Sequence, residues 1–295
     1  MASQLGPDAR VAASAAPSRA LSSAPLLAGR YRPVERIGVG GSSSVFRGTD
    51  ESLGRQVAIK VFNSGRAHQL ERHADEIRVL ASLAHHGIVG IIDAGIDRSQ
   101  PNDARPFLVM ELVTGTTLEE LSATRRPSAR VIGEIGFEIA ETLAYIHAHG
   151  VIHRDVTPTN IMLADYGTPA LRRRALLTDF GIAVEGGSVP GAETAVGTAP
   201  YLSPEQATGA PLNSATDIYS LGLVLLETFT GRREFPGTYR ESMEERVKRD
   251  PMIGRDVPGA WRSLLRAMTA REPRHRPDAG AVLESSRRIL RARPR

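Results

Sequence analysis

His153-Arg154-Asp155-Val156-Thr157-Pro158-Thr159-Asn160 is the stretch on which the reading of this chain turns. A long amphipathic segment and the apolar Val151-Ile152 pair precede it, so the octapeptide reads as a loop projecting from packed elements. It offers a guanidinium, a carboxylate and a carboxamide within eight positions. Nineteen positions after Asn160 stands Asp179-Phe180-Gly181, preceded by the apolar run Ala175-Leu176-Leu177. Asp and Asn are also ordinary turn formers, so either motif alone would be a weak signal. The spacing of the two together is what carries information.

Upstream, Ile37-Gly38-Val39-Gly40-Gly41-Ser42-Ser43-Ser44-Val45-Phe46-Arg47-Gly48 reads as a hairpin with a tip of small residues. Such tips let backbone N–H groups approach an anion without Cβ clashes. Arg55–Phe62 alternates as a strand, with Val57, Ile59 and Val61 on one face and Ala58, Lys60 and Phe62 on the other. Lys60 is either a surface lysine or a cation facing a cleft beside the small Ala58. A half-buried ammonium needs a carboxylate. The segment of about 68–83 has the helical spacing Ile77, Leu80, Leu83 and carries Glu71, Asp75 and Glu76 as candidates. Two further strands are expected over Ile88–Ile92 and Pro106–Leu112. Beyond them Ile132, Ile135, Ile139, Leu143 and Ile146 mark one stripe of a helix, with Gly150 as its C-cap. Ile161-Met162-Leu163 predicts a short strand. Asp217–Thr230 is apolar nearly all round and predicts a buried helix.

Together these motifs resemble the protein kinases of the eukaryotic type found in bacteria, over about residues 30–289. The resemblance implies an α+β bilobal fold, with a small antiparallel-sheet lobe bearing one helix and a larger, mainly helical lobe. It implies ATP between the lobes and Mg²⁺ on its phosphates. Residues 30–113 would form the first lobe and 114–295 the second. Residues 1–29, rich in Ala, Ser and Pro, would form a disordered tail, since such a composition cannot bury enough surface to offset its ordering entropy. Position by position, Asp155 matches the general base, Asn160 and Asp179 the metal ligands, and Lys60 the phosphate-binding lysine. Glu76 matches the residue that orients Lys60, on its distance to Leu80, Leu83, His85 and Ile88. Ile37, Gly38, Gly40, Val45 and Ala58 would enclose the nucleotide, with Met110 closing the back of its pocket. Glu111 and Val113 would present backbone groups to adenine, and Met162 would lie beneath it. Residues 111–117 would be the hinge, with Gly115 as its flexible point.

The activation segment would run from Ile182 to Pro204. It would carry phosphate at Thr194, or secondarily Ser188, captured by Arg154. Thr198 would contact Asp155, Glu205 would pair with Arg276, and Asp217 would tie the catalytic loop to the core helix. Three positions depart from the family pattern: Ser43 replaces a third Gly, Ser203 an Ala and Thr157 a Lys. Thr157 keeps open a pseudokinase, an ATP-binding scaffold with weak or no transfer. A small-molecule kinase is the other alternative, and the long segment ending in Ser203-Pro204-Glu205 argues against it. The favoured expectation is transfer of the ATP γ-phosphoryl group to Ser or Thr of protein substrates.

Composition narrows the rest. The 295 residues, 41% hydrophobic and 24% charged, suit one or two ordinary cores. Cysteine is absent, which excludes disulfides, thiolate nucleophiles and Cys-ligated metals. The formal charge of +4 comes from scattered basic residues without interleaved aromatics, so no nucleic-acid partner is expected. No run reaches the ~20 apolar residues of a membrane span. The expectation is a cytoplasmic protein whose input signal arrives through a regulatory protein partner.

Overall fold

A computed structural model describes residues 25–40, 43–63, 79, 81–99, 104–167, 173–179 and 199–292. Five antiparallel strands come first: β1 (Tyr31–Val39), β2 (Ser43–Asp50), β3 (Arg55–Phe62), β4 (Ile91–Asp97) and β5 (Arg105–Glu111). They form one sheet in the order β1-β2-β3-β5-β4. The period-2 pattern of β3 decides which face is covered. Val57, Ile59 and Val61 pack with Tyr31, Phe107 and Val109 in a small core. The opposite face carries Lys60, whose register neighbours are Val45 on β2 and Leu108 on β5. Ala58 lies in register with Met110 on that same face. The segment from 64 to 78 and residue 80, with Glu76, lies outside the described residues.

The second part is mainly helical around a three-stranded sheet, β6 (Gly115–Thr117), β7 (Ile161–Ala164) and β8 (Arg174–Leu177), in that order. Its helices among the described residues are α1 (Leu118–Thr124), α2 (Ala129–Ala148), α3 (Pro204–Thr208), α4 (Ala215–Thr230), α5 (Tyr239–Lys248), α6 (Gly259–Met268) and α7 (Ala279–Arg291). The isoleucine stripe of α2 is buried against α4, Trp261 and β7, in one large cluster. Gly150 follows α2 at φ 74°, the left-handed turn that ends a helix without a Cβ penalty. Of α4, as its composition demands, nearly every residue is buried. None of the described helices is long and apolar enough to cross a membrane.

Two expectations shift. The strand placed at Ile88–Ile92 begins at Ile91, and Ile88 instead forms a parallel bridge to Leu177 of β8. The apolar run could not distinguish the two, because Ile88 and Val89 are buried in either role. Of the residues expected as a hinge, Gly115–Thr117 are instead paired with β7 as strand β6. Gly115 is required there for space rather than flexibility. At φ 153° a Cβ would stand 2.2 Å from the Leu163 carbonyl oxygen.

Ser203, where the family has Ala, is the N-cap of α3 and accepts from the Gln206 N–H. Glu205, next in α3, is buried and bridged by both Arg276 amino groups, at 2.7 and 2.9 Å. Burial pushes the Glu205 carboxyl up, but the Arg276 hydrogen bonds and charge outweigh it and hold the group below its ordinary range. Its stabilisation is therefore present above the ordinary carboxylate pKa and is lost as pH falls through the lowered one. Arg276→Met should cost about 3–5 kcal/mol near neutral pH, because it strands a buried charge. With burial unopposed in that variant, the gap to wild type should narrow in acid. Denaturant titrations at two pH values check both statements; a gap that stays constant rules out the charge as its cause.

Candidate active site

The site is assembled from the ends of elements. The 153–160 loop leaves α2 and returns into β7, and its position is fixed from below by Asp217 in the first turn of α4. One Asp217 oxygen accepts the His153 N–H and His147 Nε2, each at 2.8 Å, and the other accepts the Arg154 N–H at 2.8 Å. Asp217 has no solvent exposure. A fully buried carboxylate survives when its charge is met by such donors. The expected tie to the core helix is thus present. The His147 contact was not foreseen, because nothing in the sequence distinguishes it from a histidine at a helix end.

Arg154 adopts φ 68°, a left-handed conformation that costs a non-glycine residue about 1–3 kcal/mol. Its carbonyl accepts from Gln206 Nε2 at 2.9 Å, while Gln206 Oε1 accepts the Ser203 N–H. One carboxamide thereby caps α3 and holds the catalytic loop. His153 is buried, with Nε2 3.0 Å from the Thr178 carbonyl. Within the loop, Asn160 Nδ2 donates to the Asp155 backbone oxygen (2.9 Å) and to Asp155 Oδ2 (2.8 Å). Thr178 N–H donates to the Asn160 carbonyl at 2.9 Å, so the residue before Asp179 is anchored to Asn160.

Asp179 also has positive φ, 53°, and its Oδ1 lies 2.9 Å from Lys60 Nζ. This ion pair brings together β3 of the first sheet and the segment after β8 of the second. Behind it, Met110 and Val113 pack on Val89, Ala164 and Leu176. Met162 shares a face of β7 with Ala164, while Ile161 and Leu163 turn into the large core. Ile37 and Val39 are exposed apolar residues at the tip of the β1–β2 hairpin. Gly38 lies opposite Val45, and Gly40 N–H donates to the Ser43 carbonyl at 2.8 Å. Ser43 is buried at the start of β2, in register with Phe62 of β3. Glu111 commits its N–H to the Gly90 carbonyl at 3.0 Å. Thr157 is 2% exposed, and its hydroxyl lies 2.8 Å from that of Thr159. Phe180, the 181–198 segment with Ser188, Thr194 and Thr198, and residues 41–42 lie outside the described residues.

The donor set fits a hard divalent cation. Asp179 offers carboxylate oxygens. Asn160 turns its NH₂ towards Asp155, so its amide oxygen is the atom that could reach such an ion.

A family model described as "Protein kinase domain" matches residues 31–286. The chain belongs to the protein kinase family. Membership implies ATP and a divalent cation as the groups this cleft serves. Curated relatives include the DNA damage-responsive serine/threonine-protein kinase RqkA of Deinococcus radiodurans, 34% identical over 88% of this chain and 39% of that protein. Serine/threonine-protein kinase PknA of Mycobacterium tuberculosis is 34% identical over 90% of this chain and 62% of its own. Serine/threonine-protein kinase PknB of Mycolicibacterium smegmatis is 38% identical over 77% and 36% respectively. The chain thus spans less than two thirds of each of these relatives.

Beyond the expected site, this kinase domain carries a clamp on residues 199–202, within the last part of the stretch read from the sequence as the activation segment. Arg246 of α5 is fully buried and donates to the carbonyls of Ala199 and Leu202, to the Ser242 carbonyl at 3.0 Å and to Ser242 Oγ at 2.7 Å. Burial lowers the guanidinium pKa to about 10. Tyr201 in the same stretch donates to Glu227 at 2.6 Å, and burial followed by the Glu227 charge raises its hydroxyl. Sequence reading missed both, although Ser242, Met243 and Arg246 share one helical stripe. Asp217→Asn should lower stability by about 1–3 kcal/mol, because its NH₂ would face a backbone donor. Amide exchange at His153 and Arg154 should accelerate relative to the α2 core. Unchanged exchange there would remove Asp217 as the support of the loop.

Proposed function

We propose that this domain transfers the γ-phosphoryl group of ATP to Ser or Thr hydroxyls of protein substrates. The observation that carries this reading is the 2.9 Å Lys60–Asp179 pair, which sets a cation and a metal-binding carboxylate together beside the Asp155–Asn160 loop. The three relatives, all named serine/threonine-protein kinases, support the same choice of acceptor. The lobes are taken to divide after Val113, and the expected tail is cut short of residue 29, because Leu27 is buried in the small core with Tyr31 and exchanges backbone hydrogen bonds with it at 2.9 and 3.0 Å.

In this reading Lys60 binds the α- and β-phosphates, and Glu76 orients it. Asp155 accepts or orients the proton of the attacking hydroxyl, its carboxylate held by Asn160 Nδ2. Asp179 and the Asn160 amide oxygen would hold Mg²⁺, which when bound would neutralise charge on the phosphates. Ile37, Gly38, Gly40 and Val45 cover the nucleotide, Ala58 and Met162 flank the base, and Met110 closes the pocket. Glu111 offers the base its carbonyl, because its N–H is engaged, and Val113 supplies the next backbone contact. Positioning and electrostatics do most of this work, since the transition state asks little covalent help. Arg154 is the receiver for a phosphate at Thr194 or Ser188, which would order the segment before Ala199.

Incubation with Mg-ATP and a basic-protein acceptor, followed by phosphosite mapping, tests the reading directly. Phosphate should appear on Ser and Thr, in the acceptor and at Thr194. Lys60→Met and Asp155→Asn should each lower transfer by on the order of 10²–10⁴ with melting unchanged. A wild-type chain that binds nucleotide and transfers nothing would sink the proposal.

Thr157 refines it. The buried hydroxyl, tied to Thr159, brings no charge to the transferring phosphate, where a lysine would contribute roughly 3–4 kcal/mol of transition-state stabilisation. The wild type should therefore be slow but active. Thr157→Lys should raise kcat more than it changes the KM for ATP, since the added contact strengthens in the transition state. Equal steady-state rates in both forms would mean that another cation already serves there.

A further inference from the structure

Away from the cleft, the loop that enters β4 lies across α2 and brings His85, His86 and Glu141 together. One donor atom from each falls within 4.8 Å of the other two, and His86 Nε2 lies 3.0 Å from Glu141 Oε2. We propose that these three side chains form a binding site for a divalent transition metal of the zinc class, which fastens this loop to α2.

The donor chemistry selects the class. Two imidazoles and one carboxylate suit zinc and its neighbours, whereas Mg²⁺ and Ca²⁺ require oxygen ligands. A tetrahedral ion with bonds of about 2.0–2.2 Å needs donors roughly 3.3 Å apart. The His86–Glu141 separation is already close to that, and His86 is exposed and can turn to complete the set. A surface with three protein donors leaves a fourth position to water.

The frame around the donors is already built. Tyr145, one turn beyond Glu141 on α2, accepts the Ala84 N–H at 3.1 Å and stacks on the His85 ring at 4.8 Å. The His85 and His86 rings lie 4.1 Å apart. Gly87 approaches α2 so closely that a Cβ there would stand 1.9 Å from Thr142 Oγ1. His85 Nδ1 accepts the Gly87 N–H at 3.1 Å, so coordination through Nε2 shifts the ring proton to Nδ1 and gives up that bond. That loss is one neutral hydrogen bond, a penalty of roughly tenfold or less in affinity. Arg174, whose charge also bears on His85, further limits the affinity.

The placement gives the site a consequence. Leu177 N–H donates to the Gly87 carbonyl at 2.8 Å, and Val89 N–H donates to the Leu177 carbonyl at 3.2 Å. Leu177 lies two residues before Asp179, so a metal at this joint would stiffen the base from which Asp179 is presented. The site itself does not depend on the phosphotransfer reading, and a chain without transferase activity would still show it.

The test is calorimetric titration of Zn²⁺ into the full chain with Mg²⁺ in excess, paired with melting curves. One equivalent should bind and raise the melting temperature. His86→Ala and Glu141→Gln should each weaken binding by about tenfold or more, and the double variant should lose that equivalent and its melting shift. Both variants should melt as wild type without metal, because His86 is exposed and Gln keeps the shape of Glu141. Co²⁺ in place of Zn²⁺ should give a visible spectrum that the double variant lacks. Absence of Zn²⁺ binding in the wild type overturns the proposal, as does equal binding in the double variant, which would locate the metal elsewhere.

Discussion

The catalytic loop of this kinase domain depends on one buried carboxylate. Asp217 sits in the first turn of a helix that is apolar on every side, where an uncompensated charge would be untenable. Its three donors come from α2 and from the backbone of the loop itself. The left-handed turn at Arg154 is held by those bonds and by the Gln206 carboxamide. Local strain at the loop is thus offset by polar contacts made in the core. The position of Asp155 therefore follows from the burial of α4, two levels of structure away.

A second pattern is the use of charge where it can be fully met. The Glu205–Arg276 bridge, the Arg246 clamp and the Tyr201–Glu227 bond all converge on residues 199–205. This short stretch has almost no regular backbone hydrogen bonding, with one 3₁₀ turn at Ala199–Tyr201 and the start of α3. Side chains supply the rigidity that a helix or strand would otherwise give. Arg246 shows that a buried guanidinium can be satisfied by carbonyl dipoles and a hydroxyl, with Phe235 against its face at 5.0 Å.

Much of this was legible in the sequence, and for identifiable reasons. The α2 and α4 stripes and the β3 alternation encode burial directly, since each residue's side follows from the period. The pairing of Glu205 with Arg276 was accessible through family resemblance; 71 residues separate them, and no local rule joins them. The limits of β4 were misjudged, because an apolar run states that residues are buried without saying which neighbour buries them. Gly115 was given the right place for the wrong reason: its small size matters against the Leu163 carbonyl. His147, Gln206 and Arg246 remained hidden, as each is an unremarkable polar residue on a helix until the fold sets a backbone group beside it.

The bridge between Ile88 and Leu177 has a mechanical meaning. It is a parallel backbone contact that joins the entry of β4, in the five-stranded sheet, to the exit of β8, in the three-stranded one. Beside it lie the paired N–H and carbonyl groups of Gly87, Val89 and Leu177. Backbone hydrogen bonds at such a joint resist sliding and parting more than they resist a small turn. An opening that kept this bridge intact would pivot near it, and displacement would grow with distance from it. The hairpin tip at Gly40, built on the far strands β1 and β2, would swing widest. Lys60, on the central strand β3, would move less than that tip for the same turn.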